Sequence, residues 1–183
     1  YIEASSKRLK GAEIKFDGIT VTGTENIMMA AALAEGKTTL TNVAKEPEII
    51  DLANMLNSMG AKIDGAGSDR ITIEGVDNLT GTNFEIPADR IEAGTYLAAA
   101  AVTKGDITIE GINPNRLMKV IDKLKDAGAE IEYQNNAISI CMNKDVPNPV
   151  DITTAPFPEF PTDMQAQFSV INAISNGTAN IYE

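Results

Sequence analysis

Polar and apolar positions along the chain follow two periods, and the period switches at regular intervals. Residues 12–16 (AEIKF), 38–42 (TTLTN), 61–64 (AKID) and 69–75 (DRITIEG) read as short strands. Between them, Ile49, Leu52, Ala53, Leu56 and Met59 recur at i, i+3, i+4, i+7 and i+10, one face of an α-helix. Leu117, Val120, Ile121, Leu124 and Ala127 repeat the same stripe. An alanine-rich apolar run over 24–35 predicts a further helix. Gly36, Gly60, Gly105 and Gly128 stand where a left-handed C′ residue ends a helix, and Pro47 and Pro114 stand where a first helical turn needs no N–H.

These elements repeat. LAEGKTTL (33–40) matches VTKGDITI (102–109) and ISNGTANI (174–181), MGAKI (59–63) matches AGAEI (127–131), and LKGAEI (9–14) matches LTGTNFEI (79–86). The period is roughly 70 residues, so the chain holds two full units and the first half of a third. Each unit reads β-α-β-α-β-β, so the second unit also calls for a first strand. The pattern predicts an α/β fold with parallel pairing and right-handed crossovers. Such units bury their helices against one another, and the small residues at 30–32 and 98–101 let helices approach closely.

Composition narrows the chemistry. The chain has 183 residues, 43% of them hydrophobic, enough for one ordinary domain or two small ones. Lys plus Arg is 15 against 26 Asp plus Glu, a net charge of −11, and the only arginines are Arg8, Arg70, Arg90 and Arg116. That balance excludes a nucleic-acid partner, which needs a basic footprint. With no histidine, Ser-His-Asp and Cys-His catalysis and His-ligated metals are excluded. Cys141 stands alone, which points to a reducing, cytoplasmic setting without disulfides. No apolar run reaches the roughly 18 residues of a membrane span. The chain opens on YIEASSKR, without Met or a signal-peptide layout, and closes as a strand begins, so it reads as a fragment.

The repeat brings the starts of the first helices to equivalent positions: TGTEN (22–26), DRIEAGT (89–95) and FPTDMQAQF (160–168). Helix N-termini present unpaired N–H groups and partial positive charge, so an acidic protein could hold anionic substrates there. Thr162 and Gln165 have the spacing of a capping box, the commoner use of such a string. Asp163 between them is placed to act as a general base as well. Glu46 precedes Pro47 at a helix start, where its charge is favourable at the dipole. Arg90 is either a surface ion-pair partner or a clamp on a phosphate or carboxylate. Cys141 lies on a half-buried strand with nothing to activate its thiol. The glycine-rich stretch at 64–70 matches no phosphate-loop or dinucleotide fingerprint, and no ligand cluster suggests a metal.

FPTDMQAQF (160–168), the run from Thr24 to Ile63 and DRIEAGTYLAAAA (89–101) closely resemble the UDP-N-acetylglucosamine 1-carboxyvinyltransferases, a family of enolpyruvyl transferases. The likeness runs along the whole chain, and FPTDMQAQF separates these enzymes from the 5-enolpyruvylshikimate 3-phosphate synthases that share their fold. The resemblance implies an inside-out α/β barrel of two domains, each built from three β-α-β-α-β-β units. Residues 1–87 would be the last unit of one domain, and 88–183 one complete and one partial unit of the other, with 86–94 crossing between them. It implies transfer of the enolpyruvyl group of phosphoenolpyruvate to the 3-hydroxyl of UDP-N-acetylglucosamine, releasing phosphate, the first committed step of peptidoglycan synthesis. No metal or organic cofactor is implied. Asp163 matches the carboxylate that takes the sugar hydroxyl proton. Gly18, Ile19, Thr20 and Val21 match a stretch that binds the uridine nucleotide, with Lys common at the position of Gly18. Glu46 and Arg90 match cleft residues. The family's Lys-Asn pair and its proton-donating Cys match nothing in this chain. A fragment of this kind is expected to be inactive alone and to self-associate through apolar surface left uncovered. The rival readings are a shikimate-specific enolpyruvyl transferase and a binding or scaffold module built from the same repeat.

Overall fold

The alternation at the head of the chain forms strand β1 (Glu13–Lys15), which leads through a bend into helix α1 (Val21–Ala32) and strand β2 (Lys37–Thr41). Helix α2 (Pro47–Ser58) follows, with Pro47 in its first turn, then the hairpin β3 (Lys62–Asp64) and β4 (Arg70–Glu74). These coordinates are a computed structural model describing residues 1–3 and 5–183, and the chain divides into two units, Tyr1–Glu85 and Ile86–Glu183. In the first unit the strands lie in the order β1-β2-β4-β3. β1 and β2 are parallel, with Ile14 opposite Leu40. β4 is antiparallel to both of its neighbours, setting Ile71 against Leu40 and Ile73 against Ile63. The parallel sheet expected from strand–helix alternation is therefore interrupted. β2 and β3 run the same way, but the hairpin partner β4 inserts between them.

The second unit begins on helix α3 (Arg90–Thr103). No strand forms between β4 and α3, so the first strand that the repeat calls for in the second unit is absent. Strand β5 (Asp106–Glu110), helix α4 (Met118–Asp126) and the hairpin β6 (Glu130–Gln134) with β7 (Ala137–Cys141) follow. Their order, β5-β7-β6, repeats the inserted hairpin of the first unit. The second α-helix does not start at Pro114. Pro114–Arg116 form a separate 3₁₀ turn, closed by Asn113 Oδ1 accepting from the N–H of Asn115 at 3.0 Å. The third, partial repeat is β8 (Ile152–Thr153), a 3₁₀ turn at Thr162–Met164, helix α5 (Gln165–Ala173) and β9 (Ile181–Tyr182), with β8 and β9 parallel as β1 and β2 are.

Helix ends follow local chemistry. α1 begins three residues before the apolar run because Thr20 caps it, its Oγ1 accepting from the N–H of Gly23 at 3.2 Å. α2 and α4 stop at Gly60 and Gly128, with φ of +101° and +103°, the left-handed region a side chain resists. After α3 the left-handed residue is Lys104 (φ +57°) rather than Gly105.

Each unit has its own core. In the first, Met28, Ala31 and Ala32 of α1 and Ile49, Ala53 and Leu56 of α2 pack on Leu40, Ile71 and Ile73. In the second, all five residues of the predicted stripe from Leu117 to Ala127 are buried, with Leu97, Ile138, Ile140, Phe160, Met164 and Phe168. Paired asparagine clasps set registers in both units. Asn57 accepts from the N–H of Ile63 at 2.8 Å and donates to its carbonyl at 2.9 Å, and Asn172 does the same for Val150 at 2.9 and 3.0 Å.

Candidate active site

In the first unit, Gly18 and Ile19 are exposed on the bend between β1 and α1, Thr20 caps the helix, and Val21 is its first residue. Gly23 leaves room for that cap: a Cβ there would stand 2.5 Å from Thr20 Cγ2. A residue the sequence reading passed over, Thr24, ties this bend to the loop before Glu46. Its fully buried hydroxyl donates to the Thr20 carbonyl at 2.7 Å and accepts from the N–H of Ala44 at 3.2 Å. A threonine inside an apolar helical run was the available signal.

Glu46 occupies the N-cap position of α2, where its carbonyl accepts from the N–H of Ile49 at 2.9 Å. Its side chain is only 8% exposed and makes no capping bond, so it is no ordinary dipole-facing surface acid. Its charge is felt on α1. Burial pushes the Glu25 carboxyl above its ordinary value, and the carboxylates of Glu48 and Glu46 push it the same way. A raised carboxyl favours the fold at low pH, and this contribution is lost as pH rises through the folded-state value. Glu25→Gln is therefore expected to raise Tm modestly at pH 7. The gap between the two proteins should close below about pH 4, where both states of the wild type are protonated. Melting curves of both proteins across this range check the sign, and equal Tm at pH 7 would contradict it.

In the second unit, Asp89 caps α3, its Oδ1 accepting from the N–H groups of Ile91 at 2.7 Å and Glu92 at 3.3 Å. Arg90, the first helical residue, is 7% exposed, not a solvated surface arginine. Its guanidinium lies 5.7 Å from the ring centroid of Phe157. Arg90 and Phe157 help line a pocket of about 230 Å³, together with Arg116, Lys119, Glu159 and Pro161. Lys119 and Glu159 form an ion pair across 3.3 Å. Phe157 and Arg116 were not singled out in the sequence, where neither has a spacing that ties it to Arg90.

Asp163 lies on the 3₁₀ turn before α5. The capping box expected of Thr162 and Gln165 does not form. Pro161 holds the N-cap position with no side-chain cap, and the N–H of Gln165 donates to the Thr162 carbonyl. The reason is the 3₁₀ winding, which turns the chain before the α-helix starts and uses backbone groups where the box would use side chains. Asp163 itself is exposed, and among the described residues no side chain hydrogen-bonds or ion-pairs with its carboxylate. On either side the turn is anchored by buried Phe160 and Met164. Such an arrangement offers an accessible proton acceptor on a fixed backbone.

Cys141 is half-buried, its Sγ 3.4 Å from Asn143 Oδ1. No group of three or more His, Cys, Asp or Glu among the described residues is placed to hold a metal, and no helix is long and apolar enough to cross a membrane.

The sequence profile of the EPSP synthase (3-phosphoshikimate 1-carboxyvinyltransferase) family matches residues 1–183. The chain belongs to the EPSP synthase family. Within that family it is 54% identical over 183 residues to a UDP-N-acetylglucosamine 1-carboxyvinyltransferase of Hydrogenovibrio crunogenus and 53% identical over 184 to one of Aeromonas hydrophila. Both alignments cover 100% of this chain and 44% of the relative, so the chain spans less than half the length of the curated relatives it matches. Among solved structures, the enolpyruvyl transferase NikO of Streptomyces tendae superposes with a TM-score of 0.81 at 19% identity, covering 98% of this chain and 46% of that one. An EPSP synthase of Acinetobacter baumannii gives 0.66 at 24% identity, covering 95% and 41%. These likenesses agree in the fold, the enolpyruvyl transferase fold of the EPSP synthase family.

Proposed function

We propose that the chain is part of an enzyme that transfers the enolpyruvyl group of phosphoenolpyruvate to the 3-hydroxyl of UDP-N-acetylglucosamine. The observation that carries this reading is the match, over the whole of this chain and 44% of each relative, at 54% and 53% identity to two UDP-N-acetylglucosamine 1-carboxyvinyltransferases. In the reaction, protonation of the enol carbon creates an oxocarbenium-like centre. The sugar oxygen attacks it while Asp163 takes the hydroxyl proton. Loss of phosphate and of a methyl proton then restores the double bond. An exposed carboxylate on an anchored turn suits that step.

Gly18, Ile19, Thr20 and Val21 would contact the nucleotide, and Glu46 and Arg90 would each be substrate-binding residues. Residues 1–87 would form the last repeat of one domain, and 88–183 a complete and a partial repeat of the other. The enzyme would act in the cytoplasm at the first committed step of peptidoglycan synthesis, needing no metal or organic cofactor. The chain by itself would supply too few of the groups that stabilise the transition state, and its uncovered apolar side chains favour self-association.

The family-wide match keeps a second acceptor, shikimate 3-phosphate, in play. Phosphate release by the full-length protein separates the two. Turnover is expected with phosphoenolpyruvate plus UDP-N-acetylglucosamine and none with shikimate 3-phosphate, while the 183-residue chain alone releases none. Turnover with the shikimate acceptor alone would reverse the assignment.

A further inference from the structure

The two most distinctive strings in the chain, DRIEAGT and PTDMQAQ, touch each other in the second unit, and a glycine makes the contact possible. Gly94 lies inside α3, where glycine is a poorer helix former than alanine, so its presence calls for a packing reason. The reason is Met164. A Cβ on residue 94 would stand 2.8 Å from Met164 Sδ, 3.0 Å from its Cε and 3.6 Å from Val120 Cγ1. Met164 is fully buried and is the residue next to Asp163, the last of the 3₁₀ turn. A second tie joins the next residue of α3 to the first turn of α5. Gln167 Nε2 donates to Thr95 Oγ1 at 2.8 Å, and the Thr95 hydroxyl donates to the Ile91 carbonyl at 2.7 Å.

We propose that Gly94 is a positioning residue for Asp163: the notch it leaves in α3 receives Met164 and so sets where the neighbouring carboxylate stands. This rests on the reading of Asp163 as the proton acceptor. Because Met164 is fully buried, a methyl at 94 displaces its thioether inside a closed core, and the adjoining turn is expected to adjust with it. Thr95 and Gln167 hold the start of α5 to α3 and keep that turn from drifting. A shift of a reacting group by a fraction of an ångström to an ångström is felt in kcat rather than in remote substrate binding.

The test uses the full-length protein with phosphoenolpyruvate and UDP-N-acetylglucosamine. Gly94→Ala is expected to lower kcat by roughly 10- to 100-fold while KM for the nucleotide sugar stays within about twofold. Adding Met164→Ala, which removes the Sδ and Cε that the new methyl would strike, should recover at least part of the lost kcat. A purely structural role would instead lower Tm without this split and without rescue. Should Gly94→Ala fail to fold by circular dichroism, Thr95→Val decides, with a smaller fall in kcat at unchanged KM expected. Unchanged kcat in the deciding variant, or a double variant no better than Gly94→Ala, overturns the inference. Asp163→Asn run alongside tells the two failures apart. If it too keeps full kcat, the reading of Asp163 has failed and the inference with it. If Asp163→Asn is impaired and Gly94→Ala is not, only the inference has failed.

Discussion

Asp163→Asn in the full-length protein is expected to reduce kcat by roughly 10²- to 10⁴-fold with little change in Tm, the range general-base removal produces. The asparagine amide keeps an oxygen to accept a hydrogen bond from the sugar hydroxyl but cannot take its proton. KM for UDP-N-acetylglucosamine should therefore move far less than kcat. Stability should be nearly untouched for a structural reason. Asp163 caps no helix, is exposed, and has no hydrogen-bond or ion-pair partner among the described residues. All it can lose is a screened interaction with the dipole of a short helix. Measuring kcat and the thermal midpoint on the same preparation separates the roles. A near-normal kcat would leave Asp163 a surface residue of the turn and remove the chemistry assigned to it.

The largest loss of stability is expected from Phe168→Ala. Phe168 is fully buried in the second unit, and its ring meets Phe160 edge-on, with centroids 5.1 Å apart and planes at 88°. Truncation removes the ring, leaves a cavity and breaks the aromatic pair, a combined cost of about 3–5 kcal/mol. Phe168→Leu, which keeps most of the volume, should cost about half as much or less. Urea denaturation followed by far-ultraviolet circular dichroism measures both. A loss below about 1 kcal/mol for Phe168→Ala would show that this core relaxes around the gap. Because Phe160 and Met164 belong to the same core and bracket Asp163, activity should fall with Phe168→Ala even where the protein remains folded.

Much of the fold is legible because it is written in local, repeated signals. The five-residue stripes beginning at Ile49 and Leu117 face inward as their spacing requires, and Gly60 and Gly128 end their helices in the left-handed conformation. The strands at 61–64 and 69–75 pair in the structure because short strands joined by a turn have few alternatives. The misses share a cause as well. The repeat calls for a first strand in the second unit by analogy with 12–16, but strand formation depends on a neighbour to pair with, which sequence similarity does not supply. Thr162 and Gln165 have capping-box spacing, yet a 3₁₀ turn after Pro161 places Thr162 inside the turn instead of before it.

By itself the sequence determined the α/β repeat, the apolar faces, the family resemblance and the candidate residues Asp163, Gly18, Ile19, Thr20, Val21, Glu46 and Arg90. The apolar faces depend on residue type and spacing within a few turns of chain, the repeat on matching strings roughly 70 residues apart, and Gly18, Ile19, Thr20 and Val21 on the family resemblance alone. Only the tertiary structure decided that β4 inserts between β2 and β3, that Arg90 is buried beside Phe157, that Thr24 joins the Thr20 bend to Ala44, and that Met164 fills the notch at Gly94. Each of these joins residues from separate elements, and close packing selects such partners by shape and burial, which no periodicity along the chain records.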